Sequence, residues 1–301
     1  MSSSPKPPKH GSNDYNNQRT PLRKIAEETL TAIKEGFTIN GVPHDLQAKV
    51  VDSNKRTAYY APDSLLTTWS KPPTSAPMTT PTEFSILEIS TIASARLLAS
   101  TVTDNDRIGI LNFASATKPG GGFLNGARAQ EESIARSSTL YPTLMTDTAQ
   151  RFYTLHKHNK KDGYYTHAMI YSPGVVLFRD DDGGWEEPVE VDVVTSPAVN
   201  AGVVRKSLMG RLAAKGTEEK IERIMKERMG RILFLLEQQG AKHIVLGSFG
   251  TGVFQNDVGS VARIWAELLT VPGARFKDRF TRVVFGVLGK QTFTAFQRVF
   301  H

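Results

Sequence analysis

Three consecutive glycines at positions 120–122 are followed, after a seven-residue spacer, by Gln130, Glu131 and Glu132. Glycine has no Cβ, so consecutive backbone N–H groups can turn inward and bind an anion. A carboxylic acid can protonate a leaving group, and its conjugate base can activate water. The combination indicates general acid–base chemistry beside a bound anion such as a phosphate.

The two glutamates also have a simpler explanation. They stand at the start of a predicted helix that runs from Gln130 to about Leu140. Carboxylates favour the first turn of a helix because of its dipole, by roughly 0.3–1 kcal/mol each. Position alone favours this capping role over a catalytic one. Consecutive helical residues also point about 100° apart, so we expect one working acid/base and not a pair flanking one bond.

The segments around this motif alternate between strand-like and helix-like patterns. Strands are predicted at 84–89, 107–113, 168–178, 190–195, 243–247 and 282–287, and helices at 91–100, 130–140 and 218–239. This alternation predicts an α/β fold with a parallel or mixed central sheet between helices. Ligands bind such sheets at the carboxyl ends of the strands. The glycines at 120–122 follow one such end, near Phe113.

A second glycine-rich loop, GSFGTGVF at 247–254, follows another apolar strand. Two such loops, both at strand ends, could bind a diphosphate between them. Each loop taken alone could equally serve only as a tight turn. Neither loop matches the P-loop or the dinucleotide-binding fingerprint.

The composition changes twice near the amino terminus. Residues 1–22 are rich in Ser, Pro, Asn and charge, and we expect a disordered tail. Residues 23–82 are predicted to form a helical extension, starting with apolar residues at helical spacing before Gly36 and ending in a linker with four prolines at 71–82. Residues 83–301 are predicted to be the catalytic domain.

Composition and charge exclude several classes of function. The chain has no cysteine, which rules out disulfides, thiolate nucleophiles and Cys-based zinc sites. It has no apolar run of the length of a membrane span and no secretory signal pattern, so we expect an intracellular protein in the nucleus or the cytoplasm. The net charge of +7 is consistent with an anionic binding partner, and also with a charge that only keeps the protein soluble.

Other groups of polar residues are weaker candidates. The acidic run at 180–182 is more readily a surface loop than a metal site, and the histidines form no metal-binding pattern. Ser115 and Ser248 lack the nucleophile-elbow motif. We therefore expect no metal and no cofactor.

The ordered motifs resemble one known family. N-x-A-S-x-x-x-P-G-G-G, the spacer and Q-E-E look like the signature of the poly(ADP-ribose) glycohydrolases, in particular the bacterial-type branch also found in fungi. Further matches are SSTLYPTL (137–144), YSPGVVLFRDDDG (171–183), VDVVTSPAVN (191–200) and GSFGTGVFQND (247–257), so the resemblance covers about residues 23–301. It implies a macrodomain fold, a three-layer α/β/α arrangement with a mixed central sheet.

The resemblance also implies roles for individual residues. Glu132 matches the catalytic acid/base and Glu131 the neighbour that orients the terminal ribose. Residues matching substrate-binding positions are Asn112, Gly120, Gly121, Gly122, Gln130, Gly247, Ser248, Phe249, Gly250, Thr251, Gly252, Val253 and Phe254, the last packing on the terminal ribose. The chain departs from the family at Phe113 and Ser196, where cysteine is common.

The activity so implied is hydrolysis of the ribose–ribose bonds of poly(ADP-ribose), releasing ADP-ribose. The implied partners are poly(ADP-ribose), ADP-ribose and poly(ADP-ribosyl)ated proteins; we expect a monomer without direct nucleic-acid or membrane binding. One alternative is an ADP-ribose-binding macrodomain that does not cleave the polymer, which would have no need of the glutamate pair. Another is removal of single ADP-ribose units from proteins, which the Q-E-E motif disfavours.

Overall fold

A computed structural model describes residues 12–73, 78–102, 106–158 and 162–300 of the chain. Its helices are α1 (Ser12–Glu35), α2 (Gln47–Arg56), α3 (Thr91–Ala99), α4 (Gln130–Ser137), α5 (Leu140–Leu144), α6 (Asp147–His158), α7 (Ala201–Lys206), α8 (Leu208–Leu212), α9 (Ala214–Gln238), α10 (Val258–Leu269) and α11 (Lys290–Phe300). Its strands are β1 (Phe37–Ile39), β2 (Val42–His44), β3 (Ala58–Tyr60), β4 (Glu83–Leu87), β5 (Arg107–Phe113), β6 (Met169–Arg179), β7 (Trp185–Ser196), β8 (Ala241–Leu246) and β9 (Arg282–Gly286).

Within these ranges a seven-stranded sheet forms the centre of the molecule, in the order β3-β6-β7-β5-β8-β9-β4. Strands β7, β5, β8, β9 and β4 run parallel, whereas β3 and β6 pair antiparallel with their neighbours. Strand β5 lies in the middle and is buried from Ile108 to Asn112, which suits its mostly apolar sequence RIGILNF. The parallel arrangement brings the carboxyl ends of five strands to one edge of the sheet.

Helices cover both faces of the sheet. On one face, Leu111 of β5 and Phe285 of β9 belong to the same core as residues of α9 and α10. On the other face, Ile110 of β5 packs in a second core with residues of α3, α4 and α6. Adjacent residues of one strand therefore face opposite cores, which is the strand period of two. The three-layer α/β/α fold with a mixed sheet is confirmed.

The amino-terminal segments differ in part from the prediction. Residues 12–22 of the segment predicted to be a disordered tail belong to α1, and residues 1–11 lie outside the described ranges. This part of the helix packs closely against the loop at Gly126. A Cβ atom on Gly126 would lie 2.5 Å from the carbonyl oxygen of Arg19. The boundaries at 23, 82 and 83 stay predictions.

The extension is also not solely helical. Strands β1 and β2 form a hairpin, closed by Asn40 and Gly41, both with positive φ. Strand β3 pairs with β6 and forms the outer edge of the central sheet. Helical periodicity reveals none of these short strands, because each has only three residues.

Side-chain contacts also join the extension to the rest of the molecule. The buried Thr29 hydroxyl donates a 2.6 Å hydrogen bond to the carbonyl of Arg136 in α4, the helix that carries both glutamates. The ring of Phe37 stacks on Phe178 of β6 at 5.2 Å and on Trp185 of β7 at 4.8 Å, measured between centroids. The extension thus packs as part of the same body as the sheet.

Replacing Phe37 with alanine should lower the free energy of unfolding by about 2–3 kcal/mol, because it removes a half-buried ring from this aromatic stack. Denaturation in urea measures the effect. Val42→Ala in the same hairpin is the control, since Val42 is 56% exposed and should change stability by less than about 0.5 kcal/mol. Equal effects of the two substitutions would contradict this account of the extension.

Candidate active site

A cleft of about 820 Å³ opens at the carboxyl edge of the sheet. The loop after β5, the first turn of α4 and the loop after β8 supply most of its wall. Predicted site residues that line it are Gly121, Gly122, Gln130, Glu131, Glu132, Ser248, Gly250, Thr251, Gly252, Val253 and Phe254. The fold therefore brings the two glycine-rich loops and the glutamate pair to one site.

Backbone N–H groups hold both glutamates in place. Glu132 accepts hydrogen bonds from the N–H groups of Gly122 at 2.8 Å and Ala129 at 3.1 Å. Glu131 accepts one from the N–H of Ser115 at 2.6 Å. The bond from Ala129 caps the start of α4, so the capping interpretation holds for Glu132. Capping does not exclude catalysis here, because the same side chain lines the cleft.

The turn at 120–122 depends on glycine. Gly120 and Gly121 have φ values of +65° and +60°, in the left-handed region that favours glycine. A Cβ on Gly121 would lie 2.3 Å from Oε1 of Glu132. Any side chain at this position would displace the carboxylate, so the glycine motif and the glutamate motif form one structural unit.

Burial changes the acidity of the pair. Glu131 is 2% exposed and Glu132 is 8% exposed. Burial, together with the neighbouring charge of Glu132, raises the pKa of Glu131 to about 8 even though the Ser115 N–H opposes this shift. Glu131 therefore holds a proton at neutral pH, and the two adjacent carboxyl groups do not both carry a charge.

Asn112 lies behind Glu131 and is fully buried. Its side-chain N–H groups approach Glu131 Oε1 at 3.5 Å and the hydroxyl oxygen of Thr195 at 3.2 Å. Its Oδ1 atom has no hydrogen-bond partner among the described residues. Asn112 thus supports the glutamate from the end of β5, with one acceptor still available.

Gln130 lines the cleft, but its amide is occupied by the protein. Its oxygen accepts from the N–H of Phe113 at 2.8 Å, and its nitrogen donates to the carbonyl of Leu111 at 2.6 Å and to the hydroxyl of Thr91 at 3.1 Å. These bonds tie the start of α4 to the end of β5. Gln130 thus joins these two elements, and its predicted contact with substrate stays a prediction.

The loop at 247–254 divides into a buried part and an exposed part. Phe249 is fully buried in the core beside Phe113, and the carbonyl of Gly247 accepts a 3.1 Å hydrogen bond from the indole of Trp265. Neither residue lines the cleft, because an apolar ring after a strand packs in the core. Their predicted contact with substrate stays a prediction. Gly120 and Asn112 likewise lie behind the cleft wall.

Tyr165 lines the cleft although no sequence pattern marks it. Its φ of +53° is unusual for an aromatic residue and costs on the order of 1–2 kcal/mol. The fully buried Arg228 donates to the carbonyls of Tyr164 at 2.9 Å and Tyr165 at 3.2 Å, which holds this conformation. The Tyr165 ring lies 5.9 Å from that of Phe254 across the cleft wall.

Solved structures share this fold and its chain length. The chain is similar to the poly(ADP-ribose) glycohydrolase (PARG) of Thermomonospora curvata, with 37% identity, a TM-score of 0.84, and coverage of 93% of this chain and 100% of that chain. The inhibitor-bound form of that enzyme, with ADP-HPD, has a TM-score of 0.80 at 37% identity, covering 93% of this chain and 99% of that one. The PARG of Deinococcus radiodurans, solved with ADP-ribose, has a TM-score of 0.73 at 32% identity, covering 88% of this chain and 99% of that one.

The fold and the carboxylate pair define a glycosidase of the macrodomain class. A family model described as the microbial-type PARG catalytic domain matches residues 26–180, and the chain belongs to that family. No curated protein sequence matches this chain. Over the described ranges, no helix is long and apolar enough to cross a membrane.

Replacing Gly121 with alanine should lower the free energy of unfolding by about 2 kcal/mol, because of its positive φ and the clash with Glu132. Gly252→Ala is a matched control in the same cleft, since a Cβ there meets no atom within 4 Å. It should leave stability within about 0.5 kcal/mol of wild type. A Gly121→Ala protein as stable as the control would show that the turn and the carboxylate are independent.

Proposed function

We propose that this protein hydrolyses the ribose–ribose glycosidic bonds of poly(ADP-ribose) and releases ADP-ribose. The observation that carries the proposal is that Glu131 and Glu132 line the same cleft as both glycine-rich loops. Family membership and the likeness to enzymes solved with ADP-ribose and with ADP-HPD support it. Poly(ADP-ribosyl)ated proteins, as carriers of the polymer, are the partners we propose.

The loops would bind the diphosphate of the terminal unit. Gly250 has a φ of +74°, and a Cβ there would lie 2.2 Å from that of Ala198, so the loop depends on glycine for its close packing. Asn256 fixes it by donating to the carbonyls of Gly250 at 2.9 Å and Val199 at 2.7 Å. The glycines of this loop have no Cβ atom to keep an anion away from their backbone N–H groups, so the loop suits a bound phosphate. Phe254 would pack on the terminal ribose beside it.

Glu132 is the proposed general acid/base. When protonated, it would donate its proton to the oxygen that joins the two riboses. The bond between this oxygen and the anomeric carbon of the terminal ribose breaks, positive charge develops on the terminal ring, and the next unit leaves with a free hydroxyl. The resulting carboxylate would then take a proton from a water molecule as that water attacks the anomeric carbon. The proton count balances over the two steps, and Glu132 returns to its initial state.

Glu131 would act differently from its neighbour. It is the more buried of the two, and Asn112 and the Ser115 N–H fix its carboxyl group. A protonated carboxyl at neutral pH can both donate to and accept from sugar hydroxyls. We therefore assign Glu131 to holding the terminal ribose so that its anomeric carbon faces Glu132.

Glu132→Gln should lower the rate of ADP-ribose release from poly(ADP-ribose) by about 10²–10⁴-fold, because the amide cannot transfer a proton. Calorimetry should show that the variant still binds ADP-ribose. Glu219→Gln on the exposed surface of α9 is the control and should cleave at the wild-type rate. A wild-type protein that binds ADP-ribose but leaves the polymer intact would contradict the proposal and favour a non-catalytic ADP-ribose-binding macrodomain.

A further inference from the structure

Two exposed basic side chains line the cleft, those of Lys118 and Arg128. Neither side chain has an ion-pair or hydrogen-bond partner within the described part of the chain. The nearby Arg136 differs in this respect, because it is buried and donates a 2.6 Å hydrogen bond to the carbonyl of Ala127. The cleft therefore presents two positive charges that the protein itself does not neutralise.

Both residues are anchored beside Glu132. The carbonyl of Lys118 accepts a 3.0 Å hydrogen bond from the N–H of Gly121, the residue packed against the Glu132 carboxylate. Arg128 directly precedes Ala129, whose N–H donates to that same carboxylate at 3.1 Å. The two cations thus leave the β5–α4 loop on either side of the catalytic turn.

The chemistry of the polymer indicates which substrate group would contact Lys118 and Arg128. Glu132 must reach the oxygen that joins two units, so everything beyond this oxygen belongs to the leaving chain. The leaving group is the adenosine ribose of the next unit, which carries a diphosphate on its 5′ carbon, one sugar ring from the cleaved bond. Long basic side chains anchored beside Glu132 are placed to contact this diphosphate, whereas the glycine-rich loops serve the terminal one.

We propose that Lys118 and Arg128 form a second phosphate subsite, which binds the diphosphate of the polymer unit next to the scissile bond. The proposal rests on the proposed function and extends it. It predicts that the enzyme distinguishes a polymeric substrate from an ADP-ribose glycoside whose leaving group carries no phosphate. It also predicts that salt weakens this preference, because exposed charge pairs are screened.

The test compares two substrates, poly(ADP-ribose) and an ADP-ribose glycoside with an uncharged aryl leaving group. In the double variant Lys118→Gln/Arg128→Gln, the ratio of kcat/KM for the polymer to kcat/KM for the glycoside should fall by about tenfold. Raising the salt concentration should lower this ratio in the wild type and have little effect on it in the variant. The Kd for free ADP-ribose should match the wild-type value.

The control variant Arg223→Gln/Lys277→Gln removes the same net charge from exposed positions that do not line the cleft. It should keep the wild-type ratio. An equal fall in kcat/KM on both substrates, or weaker binding of ADP-ribose by the Lys118/Arg128 variant, would overturn the subsite and assign the cations to the terminal unit. A wild-type protein that hydrolyses neither substrate would instead contradict the proposed function, and the subsite with it.

Discussion

Hydrogen bonds from backbone N–H groups to the carboxylates of Glu131 and Glu132 are the contacts on which the site depends. The donors are Ser115, Gly122 and Ala129, and each occupies a different stretch of the loop between β5 and α4. Backbone donors cannot change rotamer, so they fix the carboxylates as firmly as the loop itself is fixed. The structure around them serves to place that loop.

Several parts of the molecule supply this placement. Strand β5 ends at Phe113, and the side chain of Gln130 accepts a hydrogen bond from the Phe113 N–H, which joins the end of the strand to the start of α4. Arg136, near the end of α4, donates to the carbonyl of Ala127, and its own carbonyl accepts a hydrogen bond from the hydroxyl of Thr29 in α1. The extension therefore braces the helix that carries the glutamates. A segment outside the sheet's main body contributes in this way to the geometry of the site.

Sequence reasoning was most successful where one interaction dominates. The long apolar strands of the sheet and the glycine–glutamate motif were recognisable because burial and chemistry leave clear patterns. The hairpin β1–β2 was missed although Asn40 and Gly41 form the dipeptide typical of a two-residue hairpin turn. The burial of Phe249 in the core and the position of Tyr165 in the cleft wall were not predicted. Whether a loop side chain faces the core or the cleft depends on tertiary contacts, such as those of Arg228, that lie far away in the sequence.

The central claim is that burial and the adjacent charge make Glu131 hold a proton at neutral pH. Because its native pKa lies above the ordinary value, its contribution to stability should decline as the pH rises from 4.5 to about 8. The most direct test is a ¹³C NMR titration of the glutamate side-chain carboxyl groups, with the Glu131 signal assigned by its loss in Glu131→Gln. We expect a midpoint for Glu131 near pH 8. A midpoint near 4.5, the ordinary value for glutamate, would contradict the account.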